Sequence, residues 1–422
     1  MEALVIDGGT QLVGTIDIGG AKNAALPILA ATVIWGGVYS LENCPRITDI
    51  SLAGQIIEVL GGKVHRTDRT LEVDTTDVCR WEIPHVLMGK MRASVLFLGS
   101  LLARFGRAVL TMPGGCPLGQ RPIDLHLQAM AQMGAEVTLQ ERGISCESPA
   151  LHGCCIELPI PSVGATENVL LAAAACSETV ILRGAAREPE IGALIGFLEK
   201  MGVQITGRDT DTLVIRGGLP LRSVRYRVPP DRMETASYLC MAAGCGGSVT
   251  LRHTDGRLLL PVLQVLERAG CAVKMEADEV LLAAPRQLRG VGEVETAPYP
   301  GFPTDAQAPM MAALLRAWGS TRFSENVFSR RFGHISQLQR FGADIELSGS
   351  TALVRGVEQL HGAQVRSSDL RASAALVAAA LQAEGKSTVF GLNHLDRGYD
   401  TLEGKLRQLG ARVYREQILQ VQ

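Results

Sequence analysis

Aromatic residues are scarce in this 422-residue chain, with 3 Trp, 6 Tyr and 9 Phe. A core so poor in rings has to be filled by small and branched aliphatic side chains, and the 46 glycines favour close packing. An excess of either charge is also missing. The 41 Lys and Arg nearly balance 43 Asp and Glu, and a net charge of -2 gives no bulk attraction to nucleic acid or an anionic membrane. No apolar run reaches the roughly 20 residues of a membrane span; AALPILAATVIW reads as a buried helix. The opening MEALVIDGG has neither a basic start nor an apolar stretch, so no signal peptide is expected and the cytoplasm is the expected compartment.

Several chemical signatures are absent as well. No GxGxxG or GxxxxGK[ST] loop follows a strand, and there is no HExxH or paired CxxC, so neither metal nor cofactor is expected. The ten cysteines lack ligand spacing and read as reduced thiols rather than a disulfide framework. Cys44, Cys79, Cys146, Cys154, Cys155, Cys176, Cys240, Cys245 and Cys271 read as small buried hydrophobes.

What is present is a repeat. An amphipathic segment ends in an apolar residue, a Gly and then a β-branched residue six times, around Gly61, Gly134, Gly202, Gly270, Gly342 and Gly410. Successive separations are 73, 68, 68, 72 and 68 residues. Each Gly fits a left-handed helix end before a strand. Ahead of each amphipathic segment lies an Ala-rich run without a polar face, such as NVLLAAAA or SAALVAAALQA, which predicts a helix buried all round. A short strand follows each run, giving a βαβαββ unit and an α/β fold. Six such units and a length beyond one ordinary core predict two similar domains of three units. The chain crosses between them near Pro229 and Pro230, and the first strand region, from about Leu4 to Ile18, is expected to complete the last unit.

Cations gather where helices are expected to start. The inner helices open near Lys22 and Asn23, Arg92, Ser162 to Asn168, Asp231 and Arg232, Thr304 and Asp305, and Arg371. The outer ones open near Arg46, Arg121, Arg187 and Glu188, Arg257, Arg331 and Arg397. Lys or Arg at a helix start opposes the dipole, where folding alone would favour Asp, Ser or Thr, so the pattern points to bound anions. For Arg46 and Arg257 the plain reading, a solvated cation, is preferred. Asp305 by itself reads as a first-turn carboxylate. In PGGCPLGQRPIDLH, three glycines and three prolines surround Cys116, and Arg121 nearby favours its thiolate, so this one cysteine reads as functional.

With GGAKNAALPILAA, MRASVLFLG, GGCPLGQRPIDLHL, PSVGATEN, AAREPEI, PDRMETASYL, GFPTDAQA, DLRASAALV and HLDRGY, the chain resembles the UDP-N-acetylglucosamine 1-carboxyvinyltransferases from end to end. The resemblance implies an inside-out α/β barrel made twice, over 22–229 and over 1–21 plus 230–422, with the active site in the cleft between. It implies enolpyruvyl transfer from phosphoenolpyruvate to the 3-hydroxyl of UDP-N-acetylglucosamine, the first committed step of peptidoglycan precursor synthesis. A role in cell shape and division, and that of a target for the epoxide fosfomycin, come with it.

By the same resemblance Lys22 and Asn23 sit against phosphoenolpyruvate, with Arg121 and Arg397 around its phosphate and carboxylate, and Arg331 and Arg371 as further cations. Arg92, Arg121, Pro122, Ile123, Asp124, Leu125, Ser162, Val163, Gly164, Thr304, Asp305 and Val327 resemble the UDP-sugar contacts. Asp305 lies near the sugar 3-hydroxyl, and Cys116 is the proton donor. Pro117 and Leu118 stand where the family often has Ala-Ile, Ser100 replaces a frequent proline, and Arg330 and Gly333 flank Arg331 where Asn and Met are frequent. The rival readings are the shikimate-pathway enolpyruvyl transferase and a UDP-sugar-binding regulatory paralogue. Cys116 and RPIDLH favour the UDP-sugar enzyme over the first, and the full set of polar residues argues against the second.

Overall fold

The structure is a computed structural model that describes residues 1–111, 123–140 and 143–418. They divide into two compact units: residues 1–19 with 230–418, and residues 20–111, 123–140 and 143–229. Each unit has its own apolar core.

All six repeat glycines have positive φ, 109° at Gly61, 94° at Gly134, 124° at Gly202, 102° at Gly270, 93° at Gly342 and 91° at Gly410. They follow the helices Thr48–Val59, Asp124–Gln132, Pro189–Met201 and Leu260–Arg268, the 3-10 turn Gln339–Phe341 and the helix Leu402–Gln408. A strand begins within two or three residues of each, as Lys63–Thr67 does after Gly61. At Gly342 a Cβ would meet only the His361 ring, at 3.8 Å, so the demand there is conformational. Gly342→Ala is expected to lower stability by about 1–2 kcal/mol, the left-handed penalty, in a urea titration. Gly134→Ala should cost more, because its Cβ would lie 2.6 Å from the His152 ring.

The Ala-rich runs form inner helices. Lys22–Ala31, Phe97–Phe105 (entered through the 3-10 turn Arg92–Leu96) and Val163–Ala173 touch one another in one unit. Arg232–Gly244, Thr304–Ala313 and Leu370–Gln382 do so in the other. All thirteen residues of Leu370–Gln382 are buried, which small side chains on every face permit. In each unit the third inner helix sends an amide side chain to the second. Asn168 Oδ1 accepts from the Gly99 N–H at 2.8 Å, and Gln382 Nε2 donates to the Ala312 carbonyl at 2.8 Å.

The described strands form five four-stranded sheets and one three-stranded sheet, all mixed or antiparallel. In the third repeat Cys155–Glu157 runs parallel to Thr179–Arg183, which pairs antiparallel with Thr212–Arg216, and that strand with Gln204–Thr206. The strand region before the first inner helix is split. Glu2–Asp7 lies antiparallel between Lys386–Phe390 and Arg412–Gln417 and completes the last repeat, as expected. Val13–Asp17 instead pairs parallel with Ser248–Arg252 in the fourth repeat. Arg225–Arg227 pairs parallel with Val38–Glu42, supplying the first repeat with the strand it would otherwise lack.

The expectation of burial fails for four cysteines: Cys79 and Cys155 are exposed, and Cys154 and Cys245 only half-buried. Cys155 starts an edge strand whose alternation buries Ile156 and turns its neighbours outward. Among the described residues no helix is long and apolar enough to cross a membrane.

Candidate anion-binding site

In the unit containing residues 230–418, three distant segments converge on Asp305. It is the second residue of Thr304–Ala313, a helix whose N-cap Pro303 offers no side-chain cap, and its carboxylate binds two guanidiniums. Arg331 Nη2 lies 2.8 Å from Oδ1 and Arg371 Nη2 2.7 Å from Oδ2. Both arginine side chains are buried, at 2 % and 7 % exposure, whereas Asp305 is 28 % exposed. Burial works against the charge of Arg371, but attraction to Asp305 and then Tyr399 more than reverses this and raises its pKa. The Arg371 guanidinium is therefore a permanent charge at this site.

Surrounding bonds fix the cluster. Arg331 donates from Nε and Nη2 to the Thr304 carbonyl at 3.2 and 3.1 Å. The Thr304 hydroxyl donates to Glu325, whose Oε1 also accepts from the Val327 and Phe328 N–H groups, which sets Val327 beside Thr304. Arg371 Nη1 reaches the Tyr399 hydroxyl at 3.4 Å, and that hydroxyl lies 2.6 Å from Ser237 Oγ. Asp369 caps the Arg371 helix, accepting from the Arg371 and Ala372 N–H groups. Arg397 lies between the short helix Leu392–Leu395 and Leu402–Gln408 rather than at the start of either. It acts electrostatically on His394, whose pKa is lowered by burial and then by Arg397, against Asp369.

In the unit of residues 20–229, Lys22 opens the first inner helix and pairs with buried Asp49 at 2.6 Å, while Asn23 beside it is exposed. Arg92 opens a 3-10 turn next to His126. The His126 ring is buried in the helix that begins at Asp124 after Ile123, with Leu125 half-buried between. Burial first, then Arg92, push its pKa down to about 4 against Asp124, so the ring is neutral. Asn168 Nδ2 donates to His126 Nδ1 at 2.7 Å, which puts the ring proton on Nε2. A Cβ on Gly164 would lie 2.9 Å from this ring, so only glycine lets the start of Val163–Ala173 approach it. Ser162 caps that helix by accepting from the Ala165 N–H. Arg92, Ile123 to Leu125 and Ser162 to Gly164 thus share one neighbourhood, joined by His126.

Cys116, Arg121 and Pro122 lie outside the described residues. Arg46 and Arg257 form exposed pairs with Asp68 and Asp255, both at 2.7 Å, in keeping with the plain reading of each. Sequence reasoning missed Asp49, His126, Glu325 and Tyr399. Of these His126 and Tyr399 had a signal, since they end RPIDLH and HLDRGY.

The chain matches the family described as EPSP synthase (3-phosphoshikimate 1-carboxyvinyltransferase) over residues 6–406. It is 45 % identical to the UDP-N-acetylglucosamine 1-carboxyvinyltransferase of Dichelobacter nodosus over 99 % of this chain and all of that one. It is 43 % identical to the Geotalea uraniireducens protein of the same name, again over 99 % of this chain and all of the relative. Among solved structures, the enolpyruvyl transferase NikO from Streptomyces tendae superposes with a TM-score of 0.89 at 27 % identity, covering 98 % of each chain. EPSP synthase from Acinetobacter baumannii, at 17 % identity and a TM-score of 0.75 over 99 % of this chain and all of that one, shares the fold. The chain therefore belongs to the EPSP synthase family and, within it, to the UDP-N-acetylglucosamine 1-carboxyvinyltransferases.

Proposed function

We propose that this protein transfers the enolpyruvyl group of phosphoenolpyruvate to the 3-hydroxyl of UDP-N-acetylglucosamine, releasing phosphate. The observation that carries the reading is Asp305 held between buried Arg331 and Arg371 in a chain that matches UDP-N-acetylglucosamine 1-carboxyvinyltransferases over its full length. The reaction begins with a proton delivered to the methylene carbon of phosphoenolpyruvate, for which Cys116 is the assigned acid. The sugar hydroxyl gives its proton to Asp305 as its oxygen bonds to the neighbouring carbon, giving a tetrahedral intermediate. A methyl proton then returns to the Cys116 thiolate, re-forming the double bond as the C–O bond to phosphate breaks, and the departing phosphate carries away the proton held by Asp305. Lys22, Arg121, Arg331, Arg371 and Arg397 supply fixed positive charge for the phosphate and carboxylate throughout, so no cofactor is assigned. Asn23 accompanies Lys22. Arg92, Arg121 to Leu125, Ser162 to Gly164, Thr304 and Val327 take the sugar nucleotide, with Asp305 at its hydroxyl.

Each unit reads as an inside-out α/β barrel, its sheets outside three inner helices. The functional domains assigned are 22–229 and 1–21 plus 230–422, both serving one reaction in the cytoplasm.

Phosphate release by the purified protein, with and without UDP-N-acetylglucosamine and in EDTA, tests this. Release that needs the sugar nucleotide and survives EDTA supports a metal-free transfer. Tight sugar-nucleotide binding without release would make the protein a regulator instead. Cys116→Ser is expected to lower turnover and to abolish covalent labelling by fosfomycin in intact-mass spectra; undiminished labelling of the variant removes the role given to Cys116.

A further inference from the structure

His334 has no part in the reaction as written, yet it is buried against the Asp305 cluster. It ends the 3-10 turn Arg331–His334 and is 1 % exposed. Its Nδ1 lies 3.2 Å from the Arg331 carbonyl oxygen, and a carbonyl only accepts, so Nδ1 carries the proton. Burial pushes its pKa down to about 4; Asp369 opposes that shift, and Arg331 adds to it. The ring is therefore neutral near neutral pH, and Nε2 is left as a lone pair.

Among the described residues, that Nε2 is buried without a hydrogen-bond partner. A phenylalanine would fill the same space, keep the tilted ring contact with Phe332 at 6.4 Å, and leave no orphaned nitrogen. What histidine alone adds is the Nδ1–H bond. The carbonyl it holds belongs to the residue whose guanidinium binds both Asp305 and the Thr304 carbonyl.

We propose that His334 is a positioning residue: protonated on Nδ1, it locks the main chain of Arg331 and so holds the Arg331 guanidinium on Asp305. It touches neither substrate nor reacting atoms. This assignment rests on the transfer reaction proposed above, so one arm of its test needs turnover and the other does not.

His334→Phe is expected to lower kcat about 10- to 100-fold with KM for phosphoenolpyruvate within about threefold, because the reacting groups are misplaced rather than removed. His334→Asn, whose side-chain N–H stands where Nδ1–H stood, should return to within about fivefold of the unaltered protein. An unchanged kcat in the Phe variant overturns the proposal, and so does an equal loss in both variants; a purely structural role would move Tm and leave kcat alone. In protein labelled with 15N-histidine, the resonance missing from both variants should show a protonated Nδ1. A proton on Nε2 overturns the proposal with or without turnover. Nδ1–H in a protein that does not turn over supports the bond and counts against the reaction instead.

Discussion

Asp305→Asn is expected to cut kcat by about 10³-fold or more while tightening the binding of inorganic phosphate, two effects of opposite sign from one lost charge. Arg331 and Arg371 each give one Nη2 to a different oxygen of this carboxylate. The amide keeps the shape and one acceptor, but turns an N–H group toward the other guanidinium. Two buried positive charges then lose the counter-charge they share, and an incoming phosphate meets a more positive site. At an effective dielectric constant near 20, one charge a few ångströms away is worth a few kcal/mol before screening, so a five- to tenfold tightening is a modest expectation (~1 kcal/mol). The fold loses on balance. Breaking a buried pair costs about 3–5 kcal/mol, and the 28 % exposure of Asp305 places this variant near the lower end. Calorimetric titration with phosphate, phosphate-release kinetics and thermal melting read the three effects separately. Weaker phosphate binding would mean that the two arginines do not face the anion, and an unchanged kcat would remove Asp305 from the reaction.

The repeat was legible because it is written in local chemistry. A glycine at each helix end has to adopt positive φ, and a run of alanines without a polar face has to be buried, so both signals survive without knowledge of tertiary contacts. The N-terminal strands were only half legible. Glu2–Asp7 and Val13–Asp17 look alike as short apolar segments, and their partners lie more than 230 residues away in sequence, in different repeats. Register over that distance is set by which sheet lacks a strand, which local pattern does not encode.

The cations show the same boundary. Reading Lys22, Arg331 and Arg371 at helix starts as waiting for an anion left out the carboxylates that the fold brings to them, Asp49 and Asp305. Asp305 looked like an ordinary first-turn carboxylate because its two partners are 26 and 66 residues further on. The segment bearing Cys116 was conspicuous from glycine and proline alone, whereas His334 had no signal: it matters through a neighbour that only folding supplies.

Lys405→Met should destabilise the protein by about 3–5 kcal/mol near pH 8, and by less as the pH falls. Lys405 Nζ and Glu234 Oε1 are 2.6 Å apart with side chains 9 % and 6 % exposed, and Glu234 Oε2 accepts the Gly19 N–H at 2.8 Å. The pair thus ties the helices Leu402–Gln408 and Arg232–Gly244 to the end of the N-terminal segment. The pKa of Glu234 is raised already, by burial first, with Lys405 pulling it down, Asp231 pushing it up and the Gly19 bond pulling it down. Without Lys405 the largest pull disappears and the carboxyl moves higher still. A group whose folded pKa is raised contributes stability below its unfolded value, near 4.5 for this carboxyl, and loses it as pH rises through the folded value. The variant goes on losing stability beyond the pH at which the unaltered protein stops. Between the two folded pKa values the gap therefore widens by up to about 1.4 kcal/mol per pH unit. Melting of both proteins between pH 5 and 8 measures that gap, and a gap that narrows toward alkaline pH would show that Glu234 is not the group left charged. Adding Glu234→Gln should recover most of the loss at pH 8, since a neutral amide still accepts from Gly19 and leaves no buried charge behind.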